Sequence, residues 1–168
     1  MFQLSLFAPK KQIPEISKNR WQLFVDGASR NNPGIAGAGI FIKKNNDIYK
    51  KKSFFLNSKT NNEAEYLALI LGILIVKEDL EKDDVLEIIS DSELLVKKMK
   101  KSYRVKKPEL QKLFNVVQNL LKDINFKINH VLRAHNKEAD ELANEAIDKR
   151  SKIPNDLLLE LNSYDINI

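Results

Sequence analysis

Four carboxylates stand where ordinary surface charge has little reason to be. Asp26 ends an alternating stretch that begins at Trp21, on the same strand face as Phe24. Asp91 follows Val85–Ser90, which is continuously apolar up to its serine apart from Glu87. Glu65 sits among Ala64, Leu67 and Ala68, and Asp140 lies one step from an apolar stripe of Ala139, Leu142, Ala143, Ala146 and Ile147. Each has an ordinary reading. Asp91 or Asp140 alone can cap a helix or answer its dipole, and Asp26 before Gly27 can be a turn aspartate. Glu65 is harder to dismiss, because a lone carboxylate on a buried helix face needs a partner. Carboxylates that converge repel, and one takes up a proton unless cations neutralise them. Hard divalent ions with oxygen ligands supply that charge, and the absence of cysteine points to magnesium or manganese over zinc. The residues alone lead to a metal–carboxylate cluster beside a basic surface, and no further.

The elements that must position these groups follow from the patterning. Trp21–Asp26 alternates and meets Gly27-Ala28-Ser29, a strand running into a turn. Residues 36–43 and 48–56 read as two more strands joined by the hairpin-turn string Lys44-Asn45-Asn46-Asp47. Thr60-Asn61-Asn62-Glu63 matches a capping box, and Glu63–Val76 is a mostly buried helix. Val85–Ser90 has the signature of a central strand covered on both faces. Helices follow at Glu93–Met99 and, after Pro108, at Glu109–Leu121. Phe126–Leu132 fits a fifth strand, and a last clear helix starts with Asn136 as its cap. The order β-β-β-α-β-α-α-β-α predicts an α/β fold, a five-stranded mixed sheet flanked by helices.

At 168 residues and 43% hydrophobic composition, one domain with a sizeable core is expected. No apolar run is long enough to cross a bilayer, the start has no secretory pattern, and without cysteine neither disulfides nor zinc–thiolate sites arise. A cytoplasmic address and a monomer are the simplest expectations. The net charge of +5 is unevenly placed. Lys97, Lys98, Lys100, Lys101, Arg104, Lys106 and Lys107 crowd one segment, and Lys50, Lys51 and Lys52 form a second knot. A solvated face is the ordinary reading of such a run; a phosphate-tracking surface is the alternative.

Four strings sharpen this: Asp26-Gly27-Ala28-Ser29-Arg30-Asn31-Asn32-Pro33-Gly34, Thr60-Asn61-Asn62-Glu63-Ala64-Glu65-Tyr66, Ser90-Asp91-Ser92, and His135-Asn136-Lys137-Glu138-Ala139-Asp140-Glu141-Leu142-Ala143. Together, and in this order, they resemble the type 1 ribonuclease H family over about residues 21–150. The resemblance implies the ribonuclease H-like fold and endonucleolytic hydrolysis of the RNA strand of RNA–DNA hybrids, leaving 5′-phosphate and 3′-hydroxyl ends. It implies two magnesium ions, with manganese as a substitute, held by Asp26, Glu65, Asp91 and Asp140. By the same resemblance Gly27, Asn32, Asn61 and Asn62 face the RNA strand. Thr60 matches a residue that helps hold a DNA phosphate, although the capping role ranks first. Hybrid selectivity then needs only the 2′-hydroxyl and duplex shape.

Two departures from many family members stand out. The basic handle helix is absent between Asp91 and Asp140, and the Lys97–Lys107 run is its partial replacement in this short form. The loop histidine is not at its usual offset either. Short members tend to have arginine at the position of Arg133, so Arg133 is favoured over His135 as the phosphate or product-release contact. Rival readings are an inactive binding module on the same fold, a DNA-directed exonuclease or integrase, and a piece of a reverse transcriptase. The four carboxylates argue against the first, the string Thr60-Asn61-Asn62 against the second, and the start at Met1 is taken as the sign of a free-standing enzyme rather than the third.

Residues 1–20 read as a flexible arm, 21–150 as the ribonuclease H domain, and 151–168 as a tail whose Leu157-Leu158-Leu159 has the apolar content to fold back. In the arm, Gln3-Leu4-Ser5-Leu6-Phe7 resembles the sliding-clamp-binding peptide of bacterial replication and repair proteins, with Ala8 to Arg20 as a tether. Docking of the pentapeptide on its own core, or a frayed start, is the plain alternative.

Overall fold

Residues 18–168 are described by a computed structural model. Its strands are β1 (Arg20–Arg30), β2 (Gly34–Lys44), β3 (Asp47–Lys59), β4 (Val85–Ser90) and β5 (Phe126–His130). Its helices are α1 (Asn61–Lys77), α2 (Glu93–Met99), α3 (Pro108–Leu121), α4 (Lys137–Lys149) and α5 (Asn155–Ser163), with a 3-10 turn at Arg133–His135. The sheet order is β3-β2-β1-β4-β5. β1, β2 and β3 run antiparallel, whereas β4 and β5 are parallel to β1. The expected five-stranded mixed sheet is therefore present.

Local chemistry explains most boundaries. Asn45 and Asn46 take positive φ of 52° and 71°, the backbone that a tight hairpin demands and asparagine tolerates. Thr60 accepts from the Glu63 amide at 3.2 Å while the Glu63 carboxylate accepts from the Thr60 amide at 2.8 Å, completing the capping box of α1. α1 lies between the sheet and α3, so Ala64 and Tyr66–Val76 are buried almost all round. On the opposite face, α4 packs against β2 and β1 with Ala139, Ala143 and Ala146 inward.

Two expectations need correction, and the tail takes a definite form. Asp26 does not end β1: the strand runs on to Arg30, paired with β2 from Gly27↔Ala38 to Arg30↔Ile35, and the turn comes only at residues 31–33. What ends near Asp26 is the other partner, since pairing with β4 stops at Phe24↔Ile89. β5 stops at His130 because Val131 and Leu132 turn away into the 3-10 turn. Residues 155–163 form α5, whose Leu157 and Leu161 are buried, with Ile153 and Ile166 buried on either side of it. No helix among the described residues is long and apolar enough to cross a membrane. The pentapeptide Gln3-Leu4-Ser5-Leu6-Phe7 lies outside the described residues.

Candidate metal centre and active site

Asp26 lies within β1 just past the point where the strand loses its β4 neighbour, and Asp91 stands immediately after β4. Glu65 is in the second turn of α1. The approach of that helix is possible because position 27 is glycine: a Cβ there would lie 2.2 Å from the Ala64 carbonyl carbon. Gly39, the partner of Asp26 on β2, does the same for α4, where a Cβ would fall 1.9 Å from the Ala139 carbonyl oxygen. The helix that carries Asp140 is thereby pressed onto the sheet.

The result is convergence. Oxygens of Asp26, Glu65 and Asp91 all lie within 4.8 Å of one another. Asp140 stands outside that triple but interacts with Asp26, and its Oδ1 accepts from Arg133 Nη2 at 2.9 Å. Burial, and then the negative charges of Asp91 and Asp140, push the Asp26 carboxyl up to about 8, against a smaller pull from Arg133. Burial and the charges of Asp26 and Asp91 hold Glu65 well above the usual carboxylate range, although the Gly27 amide favours its ionised form. Glu65 Oε2 is buried with no hydrogen-bond partner among the described residues. Arg133 is the arginine bonded to this group of four acids, the other cleft arginine, Arg30, being paired with Asp148; one oxygen is left idle, and the donor set is all oxygen. A hard divalent cation fits each of these facts.

These groups line one cleft of about 390 Å³ that also includes Gly27, Ala28, Ser29, Arg30, Asn61, Arg133 and Asn144. Asn32, Thr60 and Asn62 line an adjoining depression with Lys107 and Glu109. Asn32 Oδ1 accepts from the Asn61 amide at 3.1 Å and ties the two strings together. His135 is exposed and does not line the cleft, whereas Arg133 does. Of the basic run, Lys97 is paired with Glu93, and Lys98 is half-buried. Burial and the charge of Lys107 lower the Lys98 ammonium below its usual range.

One residue plays a different part from the one its sequence context suggests. Asn136 is expected to cap α4, but its side chain makes no cap bond. Its Nδ2 donates instead to the Val25 carbonyl at 2.9 Å and to Asp91 Oδ1 at 3.1 Å. The cleft-lining Arg30 and Asn144 carry no signal of their own in the sequence; Arg30 at least lies inside the first string.

A family model described as reverse transcriptase-like matches residues 24–146. The ribonuclease HI of Halobacterium salinarum is 37% identical over 131 residues, covering 77% of this chain and 65% of that protein. A bifunctional protein of Mycobacterium tuberculosis is 37% identical over 129 residues, and the chain spans 34% of its length. Among solved structures, RNase H1 from H. salinarum superposes with a TM-score of 0.73 at 33% identity, covering 77% of this chain and 98% of that one. LC11-RNase H1, isolated from compost by a metagenomic approach and solved in complex with an RNA/DNA hybrid, gives 0.73 at 36% identity, covering 79% and 99%. Fold, site and relatives agree: the chain belongs to the type 1 ribonuclease H family.

Proposed function

We propose that this chain is an endonuclease that hydrolyses the RNA strand of RNA–DNA hybrids, leaving 5′-phosphate and 3′-hydroxyl ends. The observation that carries the reading is the concentration of uncompensated carboxylate oxygen from Asp26, Glu65 and Asp91 in an open cleft. Asp26, Glu65, Asp91 and Asp140 hold two magnesium ions, for which manganese can substitute. When bound, such ions neutralise the cluster, lower the pKa of a water to make a nucleophile, and stabilise the leaving oxygen.

The chain's own residues do the rest. Arg133, held beside Asp140, offers a guanidinium to a phosphate at the cleft mouth. Asn61 and the Gly27 backbone in the cleft, with Asn32 and Asn62 in the adjoining depression, offer amides suited to reading 2′-hydroxyls without reading bases. Thr60 is engaged in the capping box, so its part in holding the DNA strand is to fix the start of α1, with Lys107 nearby for a phosphate. Residues 21–150 carry the chemistry. Residues 3–7 recruit the enzyme to a bacterial sliding clamp by Leu and Phe anchors, which suits a monomer clearing primers and R-loops in the cytoplasm. The relative solved with a hybrid supports this choice of substrate.

The test is cleavage of a strand-labelled hybrid and the matching DNA duplex, each with magnesium or with chelator. Cutting confined to the RNA of the hybrid and dependent on magnesium is expected. Equal cutting of both duplexes, or cutting in chelator, would overturn the reading.

A further inference from the structure

We propose that Asn136 is a positioning residue that holds the carboxylates of the cleft in register, an inference that rests on reading the cleft as a metal centre. Asn136 is 1% exposed and stands where β1, β4 and α4 meet. Its Nδ2 donates to the carbonyl of Val25, the residue before Asp26, and to Oδ1 of Asp91 itself. Its backbone carbonyl accepts from the Asp140 amide at 3.1 Å, and its amide donates to the Arg133 carbonyl at 3.0 Å. One residue is therefore bonded to two of the four acids, to the neighbour of a third and to the arginine.

The use of its atoms separates this role from helix capping. A cap works through a side-chain acceptor that receives an amide of the first turn. Here the acceptor Oδ1 is buried and idle among the described residues, while both donor hydrogens are committed. Serine, threonine and aspartate cap as well as asparagine but cannot donate two hydrogen bonds. An idle buried acceptor is a cost, retained here together with a donor that only an amide supplies. Both bonded atoms are acceptors, so the orientation of the amide is fixed. Without that tether the Asp91 carboxylate loses the donor that fixes its orientation, and a cation would have to restore the geometry at the expense of its affinity. Groups that orient metal-binding carboxylates typically change metal affinity or activity by about 10–100-fold when removed.

Two variants test this against the capping alternative. Asn136→Ala removes the tether and offers no capping group, whereas Asn136→Ser offers a capping hydroxyl too short to bridge Val25 and Asp91. Magnesium is titrated calorimetrically into the full chain and each variant, with melting in chelator and hybrid cleavage as parallel readouts. Both variants are expected to bind magnesium about tenfold or more weakly, to lose turnover at limiting magnesium and regain most of it at high magnesium, and to keep the wild-type KM for hybrid. Wild-type affinity in Asn136→Ser, whatever its melting temperature, overturns the proposal, as does failure of that variant to fold. Absence of any magnesium binding by the wild-type chain would instead remove the metal centre itself.

Discussion

Nη2 of Arg133 lies 2.9 Å from Oδ1 of Asp140, so the cation on the 3-10 turn and the acid on α4 meet at the mouth of the cleft. The arginine is largely exposed while Asp140 is mostly covered, which leaves the guanidinium free to share itself with an incoming phosphate. Arg133→Ala is expected to lower kcat about tenfold or more. His135, exposed and outside the cleft, is expected to cost less when changed to alanine. A larger loss at His135 than at Arg133 in steady-state cleavage would reverse the assignment.

At Gly39 the backbone of α4 comes close against β2. A Cβ 1.9 Å from the Ala139 carbonyl oxygen cannot be accommodated without moving the helix that carries Asp140. Gly39→Ala is expected to lose about 1–3 kcal/mol in urea unfolding and to lose cleavage as well. Stability and activity both at wild-type level would show that α4 is free to slide.

At the other end of the sheet, Asp84 is buried and accepts from Trp21 Nε1 at 2.7 Å and from the amides of Asn19 and Glu81. Burial pushes its carboxyl up, but these bonds outweigh burial and hold it below the ordinary value. A depressed folded-state pKa gives stability that is present above the unfolded value, about 4, and is lost as pH falls through the folded value. Asp84→Asn is therefore expected to lower the neutral-pH unfolding free energy by about 1–3 kcal/mol. The difference from wild type should shrink below about pH 4, as melts across pH 2–7 would report. A gap that persists unchanged into acid would locate the effect elsewhere.

Much of this architecture is legible in the sequence because its signals are local. The boundaries of β4 and α2 follow from apolar runs, the hairpin from Asn45-Asn46, and the start of α1 from a capping box within four residues. The four carboxylates are legible as misplaced charge, but their convergence is not. It depends on β4 pairing parallel to β1 and on glycines that admit α1 and α4. Asn136 reads as a cap because the same residue type serves caps and tethers, and the Val25 carbonyl it binds is 111 positions away. The continuation of β1 past Gly27 depends on pairing with β2, which overrides a turn-prone string. α5 escapes a sequence reading because it is short, starts after Pro154 without a side-chain cap, and buries only Leu157 and Leu161.

The basic segment after α2 offers a binding test separate from chemistry. Replacing Lys97, Lys98, Lys100 and Lys101 with glutamine is expected to weaken binding of every hybrid sequence alike. The slope of log affinity against log salt should shrink by about 0.9 for each phosphate of a B-like duplex that the protein no longer neutralises. An unchanged slope would make the segment a solvated face, with Lys97 merely paired to Glu93.

The most direct measurement compares wild type with Asp26→Asn on an RNA-labelled hybrid in saturating magnesium, with melts of both proteins in chelator. Asparagine keeps the size of the side chain but removes a charge that the cleft cannot hold without a cation, given the upward shift of the Asp26 carboxyl to about 8. Expected is a fall in cleavage by orders of magnitude, with a metal-free melting temperature no lower than wild type because carboxylate repulsion is relieved. Near-normal magnesium-dependent turnover by Asp26→Asn would contradict the metal-centre assignment.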